Sequence, residues 1–67
     1  MNYETILARS EHLKELIRTE STGTPRQLSQ KLGTSVSTIY RMIKALKNMG
    51  EPILYSKIRE TYYFDKN

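Results

Sequence analysis

One stretch constrains this chain more than any other: Thr24-Pro-Arg-Gln-Leu-Ser-Gln-Lys-Leu-Gly33-Thr-Ser-Val-Ser-Thr-Ile-Tyr-Arg-Met-Ile-Lys-Ala-Leu46. Thr24 followed by Pro25 is a helix start, with a capping hydroxyl and then a proline where its missing N–H does no harm. Gln27, three residues after Thr24, fits a reciprocal capping box. Leu28 and Leu32 give this short helix an apolar side, and Gly33 supplies the left-handed residue that ends it. Ser35 is the cap of a second helix, running from Val36 to about Met49. The stretch therefore predicts two helices joined by a three-residue turn.

The second helix has two contrasting faces. At about 100° per residue, Ile39, Ile43 and Leu46 fall on one narrow stripe, flanked by Val36, Met42 and Met49. Opposite them lie Ser37, Arg41, Lys44 and Asn48, with Tyr40 and Lys47 on one shoulder. From Ser35 to Gly50 there are three basic residues and no acidic ones, whereas residues 1–33 carry five basic against four acidic. Surface helices ordinarily mix both signs, so a face of cations, amides and hydroxyls without a carboxylate is the electrostatic footprint of a polyanion binder.

The flanking segments complete a small domain. Residues 3–19 read as an amphipathic helix, with Ile6, Leu13, Leu16 and Ile17 on one stripe and mixed charges elsewhere. Ser21-Thr22-Gly23 breaks it by turn chemistry. Gly50, Glu51 and Pro52 stop the second helix of the central stretch. Beyond them, Ile53 to Lys57 and Thr61 to Asp65 favour strands and form a hairpin over 53–65. With Lys57 opposite Tyr62, the residues Ile53, Tyr55, Tyr62 and Phe64 share the face packed on the helices. Leu54, Ser56, Ile58, Tyr63 and Asp65 take the other. The expected architecture is mainly α with a small β-hairpin, one domain over residues 1–67 with the paired helices at 24–49.

Composition removes several classes of function. The 67 residues contain no cysteine, so there is neither a disulfide framework nor a thiolate metal site, which fits a reducing cytoplasm. The single histidine, His12, sits in a charged helical stretch without converging partners and reads as surface. No catalytic residues, metal ligands, cofactor or small-molecule ligand are indicated, and the chain is too short for a pocket of the usual volume, about 300 Å³ or more. No apolar run suffices for a membrane span, and the N-terminus lacks the pattern of a signal peptide. An enzyme is not expected. The net charge of +4 is only mildly basic, so its distribution carries the argument.

At this point the sequence resembles the winged helix-turn-helix domains of bacterial transcriptional regulators, most closely the DeoR-like and HTH_11 type. The resemblance rests on Thr24-Pro-x-x-Leu-Ser-x-Lys-Leu-Gly33, Ser35-x-Ser-Thr-Ile-Tyr-Arg41, Ile43-x-Ala-Leu46, Met49-Gly50-x-Pro-Ile53-x-Tyr55 and Tyr62-Tyr-Phe64. It covers roughly residues 10–65. Three departures stand out. Ser29 replaces the usual alanine, Thr34 replaces an aliphatic residue at the turn, and Glu60-Thr61 stands at the wing tip where Asn-Gly or Gly-Gly is common. Without glycine a two-residue turn is strained, which predicts a wider loop over Ile58 to Thr61.

The resemblance implies sequence-specific binding of double-stranded DNA by a transcriptional regulator or its DNA-reading module, with the helix over 35–49 in the major groove. Arg41 can pair bidentately with guanine or clamp a phosphate. Lys44 and Lys47 suit phosphates. Ser37, Thr38 and Tyr40 can donate to phosphates or base edges, and Val36 can lie on a thymine methyl. Tyr40 could equally be an aromatic braced against the first helix. The helix starts at Thr24 and Ser35 offer N–H groups to phosphate, and Lys57 and Arg59 on the wing can reach the backbone. Arg26 and Lys31 read as solvated. Because one module makes few contacts, a homodimer or a partner regulator protein is expected, with Tyr3, Leu7, Leu54, Ile58 and Tyr63 as the candidate surface. The rival reading is a winged-helix protein-interaction module without specific DNA binding, favoured by the apolar Leu54, Ile58 and Tyr63.

Overall fold

A computed structural model describes the backbone of residues 3–66 and the side chains of residues 8–66. The order of elements is α1 (Tyr3–Arg18), α2 (Pro25–Leu32), α3 (Val36–Asn48), β1 (Ile53–Ser56) and β2 (Thr61–Phe64). Each helix of the central pair starts as its sequence dictates. The Thr24 hydroxyl accepts from the Gln27 N–H at 3.2 Å, and the Gln27 side chain accepts from the Thr24 N–H at 2.8 Å. The Ser35 hydroxyl accepts from the Thr38 N–H at 3.2 Å. Such caps satisfy backbone donors that have no partner inside the helix.

All three helices end by the same device. The residue after the last turn adopts a left-handed backbone, and two N–H groups fold back onto carbonyls of that turn. Gly33 does this after α2 with φ of 65°, and Gly50 after α3 with φ of 97°. In α1 the position is Glu20, with φ of 55°, so the helix stops before the Ser21–Gly23 turn residues that were expected to break it. The Glu20 N–H donates to Ile17 O at 3.0 Å and the Ser21 N–H to Leu16 O at 2.9 Å.

The core lies where the three helices and the hairpin meet. It is built from Leu13 and Ile17 of α1, Leu28 and Leu32 of α2, Ile39, Ile43 and Leu46 of α3, and Ile53 and Tyr62 of the hairpin. Each fully buried aliphatic side chain contributes about 1.5–3 kcal/mol relative to exposure. Leu16, Met42, Tyr55 and Phe64 pack around this centre. Met49 does not join it. At the end of α3 the helix direction carries Met49 past the core, and its side chain is 74% exposed, contrary to its place beside the apolar stripe. Ser29 is buried, and its hydroxyl donates to Arg26 O at 2.6 Å, so it can stand in a site that alanine would also fill.

The hairpin is antiparallel, with Ile53 opposite Phe64, Leu54 opposite Tyr63, Tyr55 opposite Tyr62 and Ser56 opposite Thr61. The faces are as the alternation predicted, but the register is not: Tyr62 opposes Tyr55, not Lys57. The connection is a four-residue turn over Lys57–Glu60, one residue earlier than Ile58 to Thr61. Thr61 is the physical reason. It is 3% exposed and committed to β2 by a buried hydroxyl contact with Thr22, at 3.1 Å between the two oxygens. The Tyr62 N–H donates to the Thr22 hydroxyl at 2.8 Å, and the Thr22 N–H to the Thr61 hydroxyl at 3.3 Å. This buckle closes the outer edge of β2 with the α1–α2 connection and leaves no buried side-chain donor or acceptor unpaired among the described residues. Three helices followed by a two-stranded wing make a winged helix-turn-helix fold.

Candidate nucleic-acid interface

The outward face of α3 is a continuous surface. Ser37, Tyr40, Arg41, Lys44, Lys47 and Asn48 are all exposed, while Val36 and Thr38 are half-buried at the start of the helix. Neither α2 nor α3 has an acidic residue in its first turn. Among the described residues, the ion pairs join Arg18 to Glu15 and Arg59 to Glu20; Arg41, Lys44 and Lys47 take part in neither. Three cations on one helical face therefore lack a carboxylate partner within the fold. Opposite sign must come from solvent ions or from a bound anion.

The hydroxyls at the two helix starts have structural duties. Those of Thr24 and Ser35 accept the cap hydrogen bonds described above, so their oxygens are partly committed. The Ser35 hydroxyl also donates to the Thr38 hydroxyl at 3.0 Å. Thr38 thus accepts from Ser35 and keeps its own proton to donate outward. Ser37 has no such engagement.

Tyr40 is 54% exposed on the shoulder of α3. Burial raises the pKa of the Tyr62 phenol, and proximity to the phenols of Tyr40 and Tyr55 raises it further. The Tyr55 and Tyr62 rings meet edge to face with centroids 4.8 Å apart. The Tyr55 and Tyr62 rings therefore pair across the hairpin at the base of the wing.

The wing treats its two cations differently. Lys57 is exposed at the start of the turn and forms no ion pair among the described residues. Arg59 donates from its guanidinium to the Glu20 carboxylate and lies over the Tyr63 ring, 5.0 Å from the centroid. Arg59 is consequently not a free cation. Lys31, read as solvated, donates to Ser21 O at 2.6 Å across the base of α2.

Of the apolar residues nominated as a docking surface, Ile58 is 95% exposed and Leu54 43% exposed, while Tyr63 is half-buried beneath Arg59. Tyr3 and Leu7 lie on α1, but their side chains fall outside the described residues. Contrary to the expectation that the chain is too short for a pocket of such volume, an open apolar groove of about 300 Å³ runs between α1 and α3, lined by Leu13, Met42, Ala45, Leu46 and Met49 with Thr38 and Arg41 at its side. The sequence reading missed three residues that shape this surface: Thr22, Thr61 and Glu20. Their partners lie 39 or 40 residues away, and no local periodicity reveals such pairs.

Among the described residues there is no group of three or more metal-ligating side chains, and no helix is long and apolar enough to cross a membrane. No curated protein and no solved structure matches the chain. A model of the HTH_11 family, described as an HTH domain, matches residues 9–63. That span takes in the side chains of all three helices that build the core, both caps, the exposed face of α3 and most of the wing. The chain belongs to the HTH_11 family of helix-turn-helix domains, a DNA-binding and non-enzymatic kind of domain.

Proposed function

We propose that this domain binds double-stranded DNA sequence-specifically, as a transcriptional regulator or the DNA-reading module of one, with α3 in the major groove. The observation that carries the reading is the exposed α3 face on which Arg41, Lys44 and Lys47 find no carboxylate partner. On this reading Arg41 contacts a guanine edge or clamps a phosphate, and Lys44 and Lys47 neutralise phosphates. Ser37, Thr38 and Tyr40 donate to the backbone or to bases, and Val36 offers a methyl surface to thymine. The helix starts at Thr24 and Ser35 hold phosphates by their N–H groups, and Lys57 adds one contact from the wing. Several cations on one module give non-specific affinity of roughly 10⁻⁴ to 10⁻⁶ M at physiological salt, so useful specificity calls for two copies or a partner regulator.

The test is selection from a pool of random duplexes followed by sequencing. Enrichment of a short motif, or of two half-sites about one helical turn apart, is expected. A pool that stays random after repeated rounds sinks sequence specificity. Association of two copies through Leu54, Ile58 and Tyr63 is checked separately by sedimentation at high micromolar concentration, with and without DNA. A monomer under both conditions rules out the homodimer.

The second reading, a protein-interaction module, is favoured by Ile58 and Leu54 on the hairpin and by the open groove between α1 and α3. Binding to a protein partner that persists at high salt, together with no salt-dependent binding to DNA, would establish it.

A further inference from the structure

The wing tip is folded back onto the body of the domain at a single point. Arg59 reaches from the turn to Glu20, just past the end of α1, and pairs with its carboxylate. Three further features fix it there. Its guanidinium lies over the Tyr63 ring, and its backbone N–H donates to the Ser56 hydroxyl at 3.1 Å. Among the described residues, moreover, the two non-glycine positions with positive φ are Glu20 at 55° and Glu60 at 52°. One carries the carboxylate that Arg59 meets and the other follows Arg59 directly in the chain. Glu20 takes this conformation because it ends α1 and Glu60 because it ends the turn, so the two left-handed residues set where the carboxylate and Arg59 lie.

Resting on the DNA-binding reading above, we propose that Glu20 is a latch that limits the wing's grip on DNA: it withholds Arg59 from the phosphate backbone. Lys57 and Arg59 are two residues apart in one turn, at most about 7 Å along the chain. A backbone that Lys57 reaches is therefore within the reach of the Arg59 side chain. The Arg59 and Glu20 side chains remain 55% and 35% exposed, and an exposed ion pair is weak enough to exchange. With the latch closed the wing neutralises one phosphate, through Lys57. With it open the wing neutralises two. Glu20 opposes opening twice, by holding the guanidinium and by leaving a bare carboxylate near the phosphates once Arg59 departs.

The experiment measures binding to a fluorescently labelled duplex of mixed sequence over a range of salt concentrations. It compares the wild type with Glu20→Gln, Arg59→Ala and the double variant. Glu20→Gln is expected to steepen the dependence of log K on log salt by about 0.9, one more phosphate, and to tighten binding about fivefold to tenfold at low salt. Arg59→Ala alone should leave the slope unchanged, and in the Glu20→Gln background it should restore the wild-type slope. Glu20→Gly, which suits the left-handed backbone, should reproduce Glu20→Gln and guards against a folding defect in that variant. An unchanged slope in both Glu20 variants overturns the latch. So does a steepening that survives in the double variant, or a flattening caused by Arg59→Ala alone. Absence of salt-dependent binding by the wild type overturns the DNA reading itself, and the latch with it.

Discussion

Helices α1 and α3 bury the same kind of stripe and present opposite kinds of surface. Leu13 and Ile17 on α1, and Ile39, Ile43 and Leu46 on α3, meet in one core. On the solvent side α1 carries Glu11, Lys14, Glu15 and Arg18, and the last two neutralise each other. The Arg18 guanidinium hydrogen-bonds the Glu15 carboxylate and holds its pKa below the usual carboxylate range. In turn, Glu15 raises the pKa of Arg18. The α3 face has three cations that, among the described residues, find no carboxylate to pair them. The difference teaches that charge content alone does not mark a binding surface. A face that mixes both signs and pairs some of them within the fold is a solvated exterior, and a face of one sign without a carboxylate partner is available to a polyanion.

The sharpest way to break the buried half of the comparison is to truncate each stripe. Leu13→Ala on α1 and Ile39→Ala on α3 remove fully buried side chains and should each cost about 2–5 kcal/mol in urea unfolding. Strongly unequal losses would show that one helix is an appendage rather than a partner in the core.

The next test concerns how each helix exits. Both helices are closed by backbone hydrogen bonds, at Glu20 and Ser21 for α1 and at Gly50 and Glu51 for α3, but the chain leaving α1 is also buckled to the wing through Thr22. Thr22→Val strands the Tyr62 N–H, while the Thr61 hydroxyl keeps its bonds to Tyr62 O and the Thr22 N–H, and should cost about 1–3 kcal/mol. The Glu20–Arg59 pair should weaken with it, visible as line broadening of the Arg59 side chain by NMR. Loss of less than a few tenths of a kcal/mol would mean that water replaces the buckle without penalty.

A smaller effect tests the burial of Tyr62 at the base of the wing. Tyr62 is buried and its phenol pKa is raised, so the folded state holds that proton more tightly than the unfolded chain. Its contribution to stability is fully present below the unfolded pKa and is lost as pH rises through the higher folded value. Tyr62→Phe should therefore flatten the alkaline end of the stability profile. An alkaline limb identical in both proteins contradicts the burial assigned to the hydroxyl. The smallest effect is at the α1 surface, where Glu15→Gln breaks an exposed pair and should leave the melting temperature unchanged within error. A clear drop would show that the α1 face is more than a solvated exterior.

Much of this was legible in the chain, and most of the misses trace to partners distant in sequence. Thr24, Pro25, Gln27, Gly33 and Ser35 act within three or four residues of their targets, so local sequence fixes both helix starts and the turn between them. Alternation gave the correct faces of the wing for Ile53, Tyr55, Tyr62 and Phe64, because a shift of two residues preserves side. It could not give the register, which Thr61 settles through Thr22, 39 residues earlier. The end of α1 at Glu20 escaped notice because a glutamate does not advertise a left-handed backbone. Arg59 read as a free wing cation for a similar reason: its counter-charge lies 39 residues away in sequence. The exposed face of α3 was readable because helical periodicity alone places it, while the absence of partners for its cations needed the folded chain.

The most direct test of the central claim sets the two helices against each other in one titration. Binding to a labelled mixed-sequence duplex is followed across salt concentrations for the wild type, for Arg41→Ala/Lys44→Ala on α3 and for Lys14→Ala/Arg18→Ala on α1, each with its fold verified by circular dichroism. Both double variants remove two positive charges, so net charge is matched. The α3 variant should lower the salt slope by about 1.8 and weaken binding at least tenfold, while the α1 variant keeps the wild-type slope. Equal losses in the two variants, or a binding curve indifferent to the α3 substitutions, would contradict the account.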